Sequence, residues 1–174
     1  NLNEAKKLLA EAGYPDGFDT TLKTMDSKER INMAEVLQSQ LKGIGIKVNI
    51  QVLEYGTFVE QANNGDSEIF ILSWRNATGD SHYNQYNLFH TNSHGASGNT
   101  FFYSNKEVDS LIDAARKEKD PNKRIELYEQ SQELEMEDAV YIPVRVIENL
   151  AAVAKNIQGF AISPSGYLEI NEVS

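Results

Sequence analysis

The sequence predicts an α/β fold with a mainly parallel central sheet flanked by helices. Three observations carry this. Strand-like and helix-like stretches alternate between residues 18 and 74, the pattern of a doubly wound sheet with parallel strands. The stretch "IKVNIQVL" alternates strictly, with Ile46, Val48, Ile50 and Val52 facing one way and Lys47, Asn49 and Gln51 the other, as in a strand with one wetter face near a sheet edge. The stretch "EIFILSW" instead runs Ile69, Phe70, Ile71 and Leu72 consecutively, as in a central strand covered on both faces.

The elements follow in order. Ala5, Leu8, Leu9 and Ala12 share a helical face; Asn1 caps that helix with Glu4 three residues on, and Gly13 ends it. "YPDG" is a turn, and "FDTTLKTM" is a Thr-rich strand with Phe18 and Leu22 on one side. Asp26 or Ser27 caps a second helix with the stripe Ile31, Ala34, Leu37 and Leu41, stopped by Gly43 and Gly45. A short helix spans about residues 57–63. Residues 76–99 read as polar loop with a helical turn near residues 84–90. Ser104 and Glu107 form a capping box before the stripe Val108, Leu111, Ile112 and Ala115. Asp120 and Pro121 cap and open a helix that turns Ile125, Tyr128, Ser131 and Leu134 inward; its acidic end "ELEMEDA" reads as a solvated face. "VYIPVRVIENLAAVAKN" carries strand signals, with Pro143 implying an edge or a bend. After Asn156 the apolar residues thin out. The helix-first order reads as one lobe of something larger.

The 174 residues carry a net charge of −10, which opposes nucleic-acid binding because a phosphate backbone needs a basic footprint. The chain has no cysteine, which excludes disulfides, thiolate metal sites and cysteine nucleophiles. No apolar run is long enough to span a bilayer. No phosphate loop or G-x-S-x-G elbow is present; "GIGI" lies between helix and strand, the reverse of a dinucleotide fingerprint. His90 and His94 have i, i+4 spacing, and with Asp80 they could hold a metal, but "HTNSHGASG" is a poor helix and the three histidines read as surface loop residues. No cofactor is expected. Ser73, Ser81 and nearby carboxylates have no spacing that demands a triad, so the chain is read as non-enzymatic.

One stretch stands out. "ILSWRNATGD" leaves an apolar run through Trp74, the only tryptophan, into polar loop. In open α/β sheets ligands sit beyond the carboxyl ends of the strands. Trp74 offers a flat apolar face and an N–H donor, Asn76 a donor–acceptor pair and Asp80 a charge for an ammonium group. A core tryptophan followed by a surface turn fits these residues equally well.

The order of landmarks resembles the extracytoplasmic solute-binding proteins of ABC importers, in the peptide/nickel-binding family (family five). "AKKLLAEAGYPDGFDTTL", "AEVLQSQLKGIGIKVNIQVLEY", "DSEIFILSWRNATGD", "GNTFFYSNKEVDSLIDAARKEKDPNKRIELYEQSQELEMEDAVYIPV" and "IQGF" match its successive helix, strand and cleft-loop segments across essentially the whole chain. The resemblance implies a two-lobed type II periplasmic-binding-protein clamshell. Residues 1–155 would be the C-terminal ligand-binding lobe, and residues 156–174 a closing segment that returns to an N-terminal lobe. It implies a non-catalytic wall of a peptide-binding cleft formed by Trp74, Arg75, Asn76, Thr78, Asp80 and His82, a membrane permease as partner, and a periplasmic or cell-surface lipoprotein location. Peptide-binding members often carry an Asp three residues after the Trp to anchor the peptide ammonium. Here that position is Ala77, with Asp80 further on. A nickel, glutathione-like or other small-solute binder of the same family is the nearest alternative. An α/β hydrolase-like fragment using Ser73 or His82 is the alternative of another class. The segment after Asn156, with Ile157, Phe160, Ile162, Tyr167, Leu168 and Ile170, is expected to need cover from elsewhere.

Overall fold

The computed structural model describes residues 1–163 and 165–174. The chain divides into two compact units, Asn1–Ser73 with Thr100–Phe102, and Trp74–Asn99 with Tyr103–Ser174.

Unit 1 contains α1 (Leu2–Glu11), β1 (Asp19–Met25), α2 (Lys28–Lys42), β2 (Lys47–Leu53), α3 (Tyr55–Asn63) and β3 (Ile69–Phe70). The strands form a parallel sheet in the order β2-β1-β3. The Asn1 side chain accepts from the Asn3 and Glu4 amides, as the N-terminal cap requires. β1 buries alternate residues, Thr20, Leu22 and Thr24, because successive side chains point to opposite faces. Leu22 meets Ala34 of α2 and Val48 of β2, with Leu37, Leu41, Ile50 and Ile69 packed around them.

The strand expected over residues 68–74 is a correction. Only Ile69 and Phe70 pair, and β3 is an edge; β1 is central. The Ile71 amide still bonds the Lys23 carbonyl, but Arg30 Nη1 takes the Ile71 carbonyl at 3.0 Å and Nη2 takes Ser73 Oγ at 2.7 Å. A side chain thus takes over from the ladder at the Ile71 carbonyl. β2 lies at the opposite edge, as its alternation predicts.

Unit 2 contains α4 (Ser81–Phe89), two 3₁₀ turns (Thr91–Ser93 and Gly95–Ser97), α5 (Lys106–Lys117), α6 (Pro121–Glu137) and a hairpin of β4 (Ala161–Ile162) and β5 (Leu168–Glu169). Its core holds Phe89, Val108, Ile112, Ala115 and Tyr128. Asp120 caps α6 with Pro121 in its first turn, as expected. The cap of α5 is Asn105, not Ser104, because the Ser104 hydroxyl is engaged with His94 Nε2 at 3.1 Å. The buried stripe of α6 is Tyr128, Ser131 and Glu135; Ile125 is exposed, and the acidic end is not wholly solvated. Residues 140–154 form no strand. A strand needs a neighbouring strand to share its backbone bonds, and no ladder pairs these residues among the described residues. Ile142, Val146 and Leu150 are accordingly well exposed. The last residues close on themselves, with Gln158 and Ser174 exchanging both backbone bonds.

Among the described residues no helix is long and apolar enough to cross a membrane.

The entry to β1 depends on two glycines. Gly17 (φ +80°) and Gly45 (φ +92°) bring two turns so close that a Cβ on Gly17 would lie 2.1 Å from the Gly45 carbonyl oxygen. Gly17→Ala should therefore cost roughly 1–3 kcal/mol from backbone strain alone, with more from the clash. Urea unfolding with an unchanged slope and a lower midpoint is the expected result.

Candidate functional site

Each unit brings exposed surface together with ordered polar groups. In unit 1 the carboxyl ends of β1 and β2 border an open recess of about 420 Å³ lined by Met25, Asp26, Val52, Leu53, Glu54 and Tyr55. Glu54 caps α3 by accepting from the Gly56 and Thr57 amides. Tyr55 is 64 % exposed, so the rim presents an aromatic ring to solvent.

In unit 2 the segment from Trp74 to His82 is tightly self-bonded. Asn76 Oδ1 accepts from the Thr78 amide (3.0 Å), the Thr78 hydroxyl (3.2 Å) and the Gly79 amide (2.7 Å), an Asx turn. Asn76 Nδ2 donates to the Asp80 carbonyl at 2.9 Å. Gly79 takes φ +74°, a conformation glycine adopts without steric cost. Asp80 then caps α4, its Oδ1 accepting from the His82 amide at 2.8 Å. The same oxygen accepts from Arg124 Nη2 on α6 at 2.6 Å. The Arg124 bond and the His82 amide hold the Asp80 carboxyl below the usual carboxylate range. Residues 81–89, expected as little more than a helical turn, are a full helix because of this cap.

Trp74 is seated against α4. Its Nε1 donates to Asn84 Oδ1 at 3.1 Å, and its ring lies 5.6 Å from that of Tyr83. Gly98 (φ +135°) leaves room beside it: a Cβ there would come within 3.1 Å of the indole and 2.6 Å of the Asn87 carbonyl oxygen. The tryptophan nevertheless remains 37 % exposed. The Arg75 guanidinium sits 5.2 Å from the Tyr167 ring centroid. The His82 ring lies 5.3 Å from that of Tyr86, tilted 44° to it, and burial followed by the Arg116 charge pushes its pKa down.

The structure thus gathers Trp74, Arg75, Asn76, Thr78, Asp80 and His82 into one ordered segment. His90 and His94 part company. His90 Nδ1 accepts from the Asn92 amide, while His94 Nε2 meets the Tyr103 carbonyl oxygen and Ser104 Oγ. No group of three potential metal ligands occurs among the described residues.

Sequence reasoning missed Arg124, Asn84, Arg30 and Glu135. The first three act across 44, 10 and 43 residues, separations no local pattern reveals. Glu135 is fully buried. Ser131 Oγ lies 2.8 Å from Glu135 Oε1 and 3.0 Å from Gln85 Oε1, and Gln85 Nε2 lies 3.5 Å from Glu135 Oε2. One hydroxyl proton cannot serve two acceptors. A protonated Glu135 solves this, donating to Ser131 Oγ while Ser131 donates to Gln85 and Gln85 back to Glu135. Burial pushes the Glu135 pKa up to about 7, consistent with that arrangement.

A family model described as bacterial extracellular solute-binding proteins, family 5, middle part, matches residues 1–96, more than half the chain. The chain belongs to this family. The glutathione-binding protein GsiB of Salmonella choleraesuis (strain SC-B67) is 36% identical over 168 residues, covering 92% of this chain and 33% of that protein. The chain therefore spans about a third of the length of the curated relatives it matches. The periplasmic binding protein DppA of Helicobacter pylori, solved with the peptide STSA, is 32% identical with a TM-score of 0.77, over 82% of this chain and 28% of that one. The dipeptide-binding protein of Pseudoalteromonas sp. SM9913, solved with Met-Leu, is 27% identical with a TM-score of 0.83, over 98% of this chain and 35% of that one. The fold is that of type II periplasmic binding proteins, α/β with a parallel sheet flanked by helices.

Glu135 makes stability pH-dependent. Its folded pKa of about 7 lies above the ordinary 4.5, so between these values the folded state holds a proton the unfolded state has lost. Stability should fall as pH rises from about 4.5 to about 7 and then level off, by on the order of 3 kcal/mol for this group. Glu135→Gln keeps a donor for Ser131 and removes the titration. Urea unfolding of both forms at acid and at mildly alkaline pH should show the variant gaining on the parent as pH rises.

Proposed function

We propose that the chain is part of a non-catalytic, extracytoplasmic binding protein that delivers short peptides or peptide-like solutes to an ABC importer permease. The observation that carries this is Trp74: an indole fixed by its own hydrogen bond and by Tyr83, with over a third of its surface left open. A rigid aromatic face of this kind binds at low entropic cost. The ligands named for the relatives, glutathione, STSA and Met-Leu, are all short peptides.

In this reading residues 74–82 are the binding segment of unit 2. Trp74 and Arg75 offer the contact surface, Asn76, Thr78 and Asp80 shape the loop, and His82 anchors it at the start of α4. Ala77 supplies no carboxylate for a peptide ammonium. In unit 1 the recess at the carboxyl ends of β1 and β2 is where an open parallel sheet takes its ligand. Residues 1–155 form the ligand-binding lobe. Residues 156–174 are a closing segment for a second lobe, which accounts for the exposure of Tyr167, Leu168 and Ile170. The location is the periplasm, or the cell surface through a lipid anchor.

Trp74 is the only tryptophan, so its fluorescence reports on this segment alone. Glutathione, Ser-Thr-Ser-Ala and Met-Leu should be titrated into the 174-residue chain. At least one is expected to shift the emission saturably, with a dissociation constant in the micromolar to millimolar range, about −8 to −4 kcal/mol. Calorimetry on Trp74→Ala should show affinity lower by about tenfold or more. Flat traces for all three peptides up to about 10 mM would overturn the reading.

A further inference from the structure

Arg124 lies outside the binding segment, 44 residues along the chain from Asp80. Its guanidinium nevertheless ties α6 to the carboxylate that closes the loop. Two routes run from Asp80 to Trp74. The first goes through the loop, where the Asp80 carbonyl holds Asn76 Nδ2 and Asn76 Oδ1 gathers Thr78 and Gly79. The second goes through the helix, where Asp80 caps the turn of α4 that carries Tyr83 and Asn84, the residues that hold the indole. Both routes start at Asp80, the first at its backbone carbonyl and the second at the carboxylate that Arg124 grips.

We propose that Arg124 is a positioning residue for ligand binding: through Asp80 it holds the 74–80 loop and the first turn of α4 in the form that presents Trp74. The inference rests on the reading of residues 74–82 as the binding segment. Arg124 also meets Tyr128, its guanidinium 5.2 Å from the ring centroid and Nη2 3.4 Å from the hydroxyl. Tyr128 is buried, so this contact braces the arginine on its own helix. The side chains of Arg124 and Asp80 are 31% and 45% exposed, and salt screens such a pair. The role is therefore one of local order rather than global stability.

The test uses the 174-residue chain without ligand first. In Arg124→Gln, acrylamide quenching of Trp74 should rise about twofold, and exchange of the Thr78 and Gly79 amides should quicken about three- to tenfold, with the amides of Leu22 and Val48 unchanged. Arg124→Lys, which keeps the charge but not the planar fork, should recover part of both effects. In an Asp80→Ala background, which leaves neither the arginine nor the His82 amide an acceptor, Arg124→Gln should add nothing, since the route has already been cut. Glutathione titrations should then show affinity about five- to tenfold weaker in Arg124→Gln than in the parent, and partly restored in Arg124→Lys. Unchanged quenching and loop exchange in Arg124→Gln would overturn the proposal. So would effects that add fully to those of Asp80→Ala, which would trace them to Tyr128 instead. A parent chain that binds no glutathione counts against glutathione as the ligand, while quenching and exchange still decide the role of Arg124.

Discussion

A single oxygen, Asp80 Oδ1, accepts from a backbone amide of α4 and from a guanidinium of α6, at 2.8 and 2.6 Å. An N-terminal cap is ordinarily worth about 1 kcal/mol, and a charge-assisted bond more. Sharing one acceptor ties the two gains to one geometry. If α4 begins elsewhere, the arginine loses its partner; if the arginine moves, the cap loses its brace. The start of α4, and with it the seat of Trp74, depends on where that oxygen sits, while the backbone carbonyl of the same residue holds the Asn76 turn.

α6 repeats the device two turns further along, in a drier setting. Ser131 and Glu135 reach Gln85 in the middle of α4. Three apolar side chains of similar volume would pack there at lower cost, since burying polar groups is compensated only when every donor and acceptor is matched. What the polar trio adds is direction. Hydrogen bonds fix the rotation and register of α4 against α6, which apolar contacts specify more loosely. One helix thus orients another at its end by a charge and at its middle by a closed ring of hydrogen bonds.

Much of the fold was legible because its causes are local. The Asn1 cap, the Asp120–Pro121 start and the alternation of β2 each lie within a few adjacent residues. The short β3 was not legible. "EIFILSW" has the composition of a long strand, and what shortens it is Arg30, about 40 residues earlier in the chain. Glu135 was misread for the opposite reason. Its neighbours Glu133, Glu137 and Asp138 are charged and exposed, and a local reading extends their solvation to it. Its helical spacing from Tyr128 and Ser131 was the available signal. Asp80 was noticed as a charge, but "GDSH" is also a helix start. Weighing it as a cap would have found α4, though not Arg124.

Residues 140–154 leave several β-branched side chains in water with no ladder to join. Such a stretch is a template for pairing with any other unpaired chain. The sequence breaks it at short intervals: Pro143 removes a donor, and Arg145 and Glu148 put charges where stacked copies would have to bury them. The longest window free of both, residues 149–154, is half alanine, a weak strand former. These gatekeepers deny self-assembly a continuous seam. Removing Pro143 and Arg145 together would join the apolar residues on either side into one uninterrupted fibril-forming run.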